Sequence, residues 1–159
     1  MNFREKIKSL RELAGVLEKF RVAGKKIVHC HGVFDIFHPG HLYHFEQAKK
    51  LGNILVVSLT SDRYVNKGPG RPVFSESERM AVIASLDLVD FVTLSNAPHP
   101  LKIMKTIKPN FYVKGEDSTL KPTKGLLQET KLIKKMGGQV VFTTSLPIHS
   151  SNLVNPLTS

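Results

Sequence analysis

The chain has 159 residues, 41% of them hydrophobic and 23% charged, which suits one globular domain with its own core and is too apolar for a disordered segment. Lys and Arg outnumber Asp and Glu by 23 to 13, a formal net charge of +10, so anionic partners are in scope: nucleic acid, an acidic membrane or small phosphorylated ligands. No apolar run approaches the roughly 18–20 residues of a membrane span, and the single cysteine, Cys30, excludes an internal disulfide and a cysteine-based zinc cluster.

The N-terminus is charged throughout and is no signal peptide, so the sequence reads as that of a soluble cytoplasmic protein. Ile7, Leu10, Leu13, Ala14, Leu17 and Phe20 recur at helical spacing and predict one amphipathic helix over residues 5–20. Residues 1–24 are then an N-terminal helical segment packed on a domain spanning 25–152. A β-branched run from Ile27 predicts a strand, and "DIFHPG" a loop. "HLYHFEQAKKLG" predicts a helix closed by Gly52 as its terminal glycine. "NILVVSLTS" has the continuous apolar character of a strand buried on both faces. "DRYVNKGPGRPVF" is a long polar loop whose length and charge suit a lid.

The alternation continues. Ser75 and Glu78 form a capping box opening a helix over "SESERMAVIASLDLVD". "FVTL", "NFYVKG" and "QVVFTTS" read as strands; "HPLKIMKTIKP" and "KGLLQETKLIKKMGG" read as helices. Residues 153–159 read as a tail or the start of a linker. Alternating strands and helices predict an α/β fold: a Rossmann-like three-layer α/β/α sandwich with a five-stranded parallel sheet. Ligands of such sheets bind at the carboxyl ends of the strands, and the unusual polar residues concentrate in those loops.

"HCHGVFDIFHPGHLYH" carries five of the histidines. His29 and His31 share a strand face; His38, His41 and His44 are three apart, a poor match to helical zinc pairs, and no H-E-x-x-H accompanies them. A phosphate site fits better, because "HPGH" opens a helix whose N–H groups and positive dipole end face the crevice. Gly32 there would admit a ligand close to the backbone. His29, Cys30 and His44 read as scaffold, and His31 stands between packing and ligand contact. His99 and His149 lie in loops, and Asp62 and Asp90 read as caps or strand-end partners. Lys49, Lys50, Lys102, Lys105, Lys131, Lys134 and Lys135 fall at helical spacings and read as solvated faces. No RNA-binding or zinc-finger signature accompanies them, so no nucleic acid partner is expected.

These segments together resemble one family. "HPGH" at a strand–loop–helix junction is similar to the H-x-G-H signature of the cytidylyltransferase-like nucleotidyltransferases. "GVFDIFHPGHLYHFEQAKKLG" resembles the first motif of heptose 1-phosphate adenylyltransferases and of glycerol 3-phosphate cytidylyltransferases. "SDRYVNKGPGRPVFSESERMAVIASLDLVD", "YVKGED" and "HSSNL" resemble the later motifs in order, so the likeness covers roughly residues 9 to 154. It implies a nucleotidyltransferase-type fold and transfer of a nucleotidyl group from ATP or CTP to a phosphorylated sugar or polyol, with Mg2+ as cofactor. It implies His38, His41, Lys67 and Arg79 as catalytic residues. Nucleotide binding would fall to Gly32, Phe34, Asp35, Gly40, Lys114, Gly115, Asp117, Ser150 and Ser151, with Asp35 on the Mg2+ side. "LPIHSSN" lacks the arginine and glycine that glycerol phosphate enzymes carry there, which favours a heptose-like substrate over a polyol phosphate. An FMN adenylyltransferase and a non-catalytic nucleotide-binding module are the other readings. The variant motifs look most like modules fused to a ribokinase-like sugar kinase, so a fused kinase domain and a homodimer are expected partners.

Overall fold

A computed structural model describes residues 1–146. Five parallel strands form its sheet: β1 (Ile27–Gly32), β2 (Ile54–Thr60), β3 (Phe91–Ser95), β4 (Phe111–Gly115) and β5 (Gln139–Thr143). Their order is β3-β2-β1-β4-β5. The helices are α1 (Phe3–Lys6), α2 (Leu10–Val22), α3 (Pro39–Lys49), α4 (Glu76–Ala84), α5 (Leu101–Ile107), α6 (Asp117–Leu120) and α7 (Lys124–Lys135). All seven residues of β2 are buried, as its unbroken apolar run demands.

Alternate strand residues feed two separate cores. Val28, Cys30, Leu55 and Val57 pack with Phe45 of α3 and Ile83 of α4. Ile27, Ile54 and Val56 pack on the other face with Leu13 and Leu17 of α2 and Ile103 and Ile107 of α5. This is the expected three-layer arrangement, with α2 packed into one of its cores. Cys30 is a fully buried core residue.

Four local expectations need correction. The single helix over 5–20 is two helices, because Asn2 with Glu5 and Ser9 with Glu12 each close a capping box. Between them Ile7 pairs with Val92 and Lys8 N–H bonds Val92 O at 2.9 Å, which covers the outer edge of β3. α4 stops at Ala84, short of the "DLVD" segment, where Asp90 instead accepts Leu55 N–H at 2.6 Å and Lys49 Nζ. Gly52 does not cap α3 with a left-handed turn; a Cβ there would sit 2.7 Å from Val28 Cγ2 and 2.9 Å from Lys26 O, so close packing is what demands glycine. α6 had no periodic signal, being only four residues long.

β1 leads to its neighbour β2, while β4 lies on the other flank of β1. The chain therefore reverses direction across the sheet between β1 and β4, and a crevice opens above their carboxyl ends.

Candidate active site

The site is built first by the turn from β1 to α3. Phe34 adopts a left-handed conformation (φ 48), an unusual one for a bulky residue. Its ring lies over Gly32, where a Cβ would meet ring carbons at 2.9–3.0 Å. Gly32 thus makes room for the Phe34 ring. Phe34 then packs edge-on to His41, centroids 5.2 Å apart, and to Phe45 at 5.1 Å.

His38 is the N-cap of α3, with extended backbone and Pro39 at the first helical position. Its Nδ1 accepts the Gly40 N–H at 3.1 Å. A ring that accepts at Nδ1 carries its proton on Nε2. His41 stacks on it at 3.8 Å with planes 29° apart, too close for two imidazolium ions. His41 Nδ1 is buried without a partner among the described residues. An orphan lone pair is tolerated better than an orphan N–H, so the His41 proton also sits on Nε2. α3 thus opens with two stacked imidazoles of the same polarity, but its first-turn amides are already engaged, Gly40 N–H by His38 Nδ1 and the His41 and Leu42 N–H by His38 O, which corrects the expectation of open N–H groups facing the crevice.

These groups line a cleft of about 370 Å³ together with His31, Phe34, Gly40 and His44. Its opposite wall is Lys114 and Gly115 from β4, Asp117 and Ser118 from α6, and the exit of β5 from Thr143 to Leu146. The sequence pointed to the loop after β5 without singling out Thr143 or Thr144. Thr143 Oγ1 lies 2.6 Å from His44 Nδ1, Gln47 bonds Thr144, and Glu116 accepts Ser145 N–H at 2.8 Å. Lys114 supplies the wall's positive charge, 3.8 Å from Glu129, which also accepts the Tyr112 hydroxyl at 2.9 Å.

The imidazoles are kept neutral. Burial, then Lys114, lowers His31 to about 3 and His44 to about 4. Burial, then His38, His44 and Lys67, lowers His41 to about 3. Burial also pushes His29 well down. The unfolded chain takes up protons at these positions below pH ~6.5 whereas the folded chain does not. Stability is therefore full above pH ~6.5 and falls as pH drops toward 4, by up to about 1.4 kcal/mol per pH unit for each such histidine. Thermal unfolding at pH 7 and pH 5 should show a clear fall in midpoint; equal midpoints would mean that these rings are solvated.

The loop after β2 meets the site through Asp35, which is 2% exposed. Asp35 Oδ1 accepts Val73 N–H at 2.8 Å and Phe74 N–H at 3.1 Å, and Oδ2 accepts Arg71 Nε–H at 2.5 Å. Burial alone would raise its carboxyl; these hydrogen bonds outweigh that and hold it below the usual range. Both oxygens are thus committed, and among the described residues no group of three or more His, Cys, Asp and Glu is arranged for a metal. Asp35 is a clasp for the loop here, and its expected place beside Mg2+ meets a carboxylate already taken. Arg71 is the partner that sequence reasoning passed over within "GPGRP".

Arg79 lies inside, 2% exposed. Its guanidinium donates to Val33 O (2.6 Å), Thr60 O (2.9 Å), Phe74 O (3.1 Å) and Asp62 Oδ1 (2.6 Å). It ties the β1 turn, the β2 end and the loop together from below the cleft. Lys67 sits on the exposed loop, where burial and then Arg71 lower its pKa. His29 is fully buried. Ser150, Ser151 and His149 lie outside the described residues.

A parallel sheet that sets a helix N-terminus and two like-oriented imidazoles at its switch point is the apparatus of an α/β nucleotidyltransferase. The chain belongs to the cytidylyltransferase-like family, which matches residues 29–155. It is 39% identical over 141 residues to the bifunctional protein HldE of Geobacter metallireducens, covering 87% of this chain and 28% of that protein. With HldE of Campylobacter fetus the identity is 43% over 86% of this chain and 30% of that protein. The chain thus spans about 30% of the length of these relatives. In fold it is similar to the lipopolysaccharide core biosynthesis protein of Thermoplasma volcanium (TM-score 0.64, 29% identity, 79% of this chain and 100% of that one). The pantoate-beta-alanine ligase of Francisella tularensis shares the fold at 15% identity (TM-score 0.65, 92% and 72%). No helix among the described residues is long and apolar enough to cross a membrane.

Proposed function

We propose that the chain joins a nucleoside triphosphate, ATP first among them, to a sugar phosphate of the heptose 1-phosphate kind. The reading is carried by the stacked His38–His41 pair that opens α3 and lines the cleft. An oxygen of the sugar phosphate attacks the α-phosphorus in line, forming one P–O bond. The bond from that phosphorus to the bridging oxygen of the β-phosphate breaks, and pyrophosphate leaves. The nucleophile is already an anion, so no base is needed; positioning and offsetting of charge are the whole task.

His38 and His41 serve the triphosphate, and Lys67 closes on it from the loop. Lys114, Gly115 and Asp117 border the opposite half of the cleft. Arg79 and Asp35 act from beneath as positioning residues. Ser150 and Ser151 complete the nucleotide site in this proposal. Nucleotidyltransferases of this kind generally use Mg2+. With Asp35 engaged, the described side chains do not fit a protein-held cage, so the ion would travel with the triphosphate, as Mg2+ commonly does. The sugar phosphate is favoured by the motif resemblance and by likeness to a lipopolysaccharide core biosynthesis protein. The extra length of the HldE relatives leaves room for a fused kinase unit.

The test is a pyrophosphate-release screen with Mg2+, crossing the four common nucleoside triphosphates with sugar and polyol phosphates. Release with ATP and a heptose or hexose 1-phosphate is expected. Release only with CTP and glycerol 3-phosphate would move the substrate, and none with any pair would remove the proposal.

A further inference from the structure

Behind the cleft runs a hydrogen-bonded chain that the proposed reaction does not use. His29 Nε2 lies 2.7 Å from Ser58 Oγ, which lies 2.8 Å from His31 Nδ1. His31 Nε2 lies 3.3 Å from Thr60 Oγ1. His29 and Ser58 are fully buried, whereas His31 lines the cleft. The Ser58 hydroxyl has one proton, so it can donate to only one of its two imidazoles. No other acceptor for that proton is found among the described residues, so the chain points one way or the other.

The orphan nitrogen decides the direction. His29 Nδ1 is buried and has no hydrogen-bond partner among the described residues. If the chain ran inward, from Thr60 through His31 and Ser58 to His29 Nε2, the His29 proton would be stranded on Nδ1. A buried unpaired N–H is among the rarest features of folded proteins, and a spare lone pair is tolerated more readily. Running outward, His29 Nε2–H donates to Ser58, Ser58 to His31 Nδ1, and His31 holds its proton on Nε2. The outer end then carries a proton on His31 Nε2, whose contact to Thr60 Oγ1 is long at 3.3 Å and can be exchanged for one to an anionic oxygen in the cleft. The inward direction would offer lone pairs there, which suits no anion.

We infer that His29 and Ser58 are positioning residues that fix His31 as an Nε2–H donor to an anionic oxygen of the phosphorylated substrate, on the Lys114 side of the cleft. The inference rests on the proposed nucleotidyl transfer for the identity of that substrate, while the polarity of the chain stands apart from it. His31 joins Lys114 in that half, opposite the triphosphate grip at α3. His29 touches no substrate and acts only through Ser58.

Long-range 1H–15N correlation spectra of the intact chain at pH 7.5 report directly which ring nitrogen bears the proton. His29 and His31, assigned with His29→Gln and His31→Gln, should both be protonated on Nε2. Ser58→Ala should leave His31 in a mixture of tautomers. A wild-type His31 protonated on Nδ1, or a His31 unchanged in Ser58→Ala, would overturn the chain. Kinetics test the contact. His31→Asn, whose amide sits where Nδ1 does, should raise KM for the sugar phosphate about tenfold with the KM for triphosphate little moved. His31→Gln places an amide N–H near the Nε2 position and should recover most of that loss. An active wild type with His31→Asn kinetically unaltered would defeat the contact and leave nucleotidyl transfer standing. An inactive wild type with the expected tautomers would defeat the transfer reading, and binding of mannose 1-phosphate would then be judged by its shift of the His31 ring signals; no shift would defeat the contact too.

Discussion

His41→Ala should lower kcat by about 10²-fold or more, the scale of losing one preorganised donor to charge that develops in the transition state. The imidazole is stacked on His38, flanked by Phe34 and Phe37 at 5.2 and 5.5 Å, and lines the cleft. With its pKa near 3, His41 is uncharged from pH 5 to 9, so its contribution is a directed N–H and not a cation. The wild-type rate should therefore show no inflection near pH 6.5 that His41→Ala removes. Such an inflection would make the imidazolium the working form. Near-normal turnover in His41→Ala, with circular dichroism confirming the fold, would detach this residue from the chemistry.

Arg79→Ala should cost about 3–5 kcal/mol of stability, because a buried guanidinium is removed and its carbonyl acceptors are stranded, with half-exposed Asp62 adding little. Three carbonyls and Asp62 lose their donor at once, from three separate segments. A domain with a total stability of ~5–15 kcal/mol would be left marginal. Arg79→Lys keeps the charge but not the planar fork, and should recover less than half. Urea unfolding gives the stability. Kinetics in the cold on whatever remains folded give the second readout: KM for the sugar phosphate within about threefold of wild type. An unchanged unfolding midpoint with a greatly raised KM would return Arg79 to the substrate.

The layer order, the five strands and the turn that opens α3 were all readable in the chain, because each rests on local chemistry. β2 announces itself by an unbroken apolar run, and His38-Pro39-Gly40-His41 by cap, turn and helix start. What the sequence left unresolved shares a cause. Arg79 and Lys67 look alike in sequence as basic residues near a Gly-rich loop, yet one is buried and the other exposed, and only the packing of three segments separates them. Asp35 reads as a ligand because nothing in sequence places Arg71 beside it 36 residues later. Gly32 and Gly52 signal freedom in sequence and prove to be about space. The polarity of the His29–Ser58–His31 chain is invisible without a map of which nitrogen lacks a partner.

The clasp at Asp35 bears on how fast ligands exchange. One end of the loop is fixed by Tyr64 and Val65 bonding back to Ser61 and Asp62, the other by Asp35 holding residues 71 to 74. Between these anchors residues 66–70 form a strap of about 20 Å contour at most, with Lys67 near its start and Gly68 and Gly70 already at positive φ. Opening such a strap alters a few glycine dihedrals and disturbs no strand. Product release can then be tuned by strap sequence alone, leaving the thermodynamic stability of the sheet untouched.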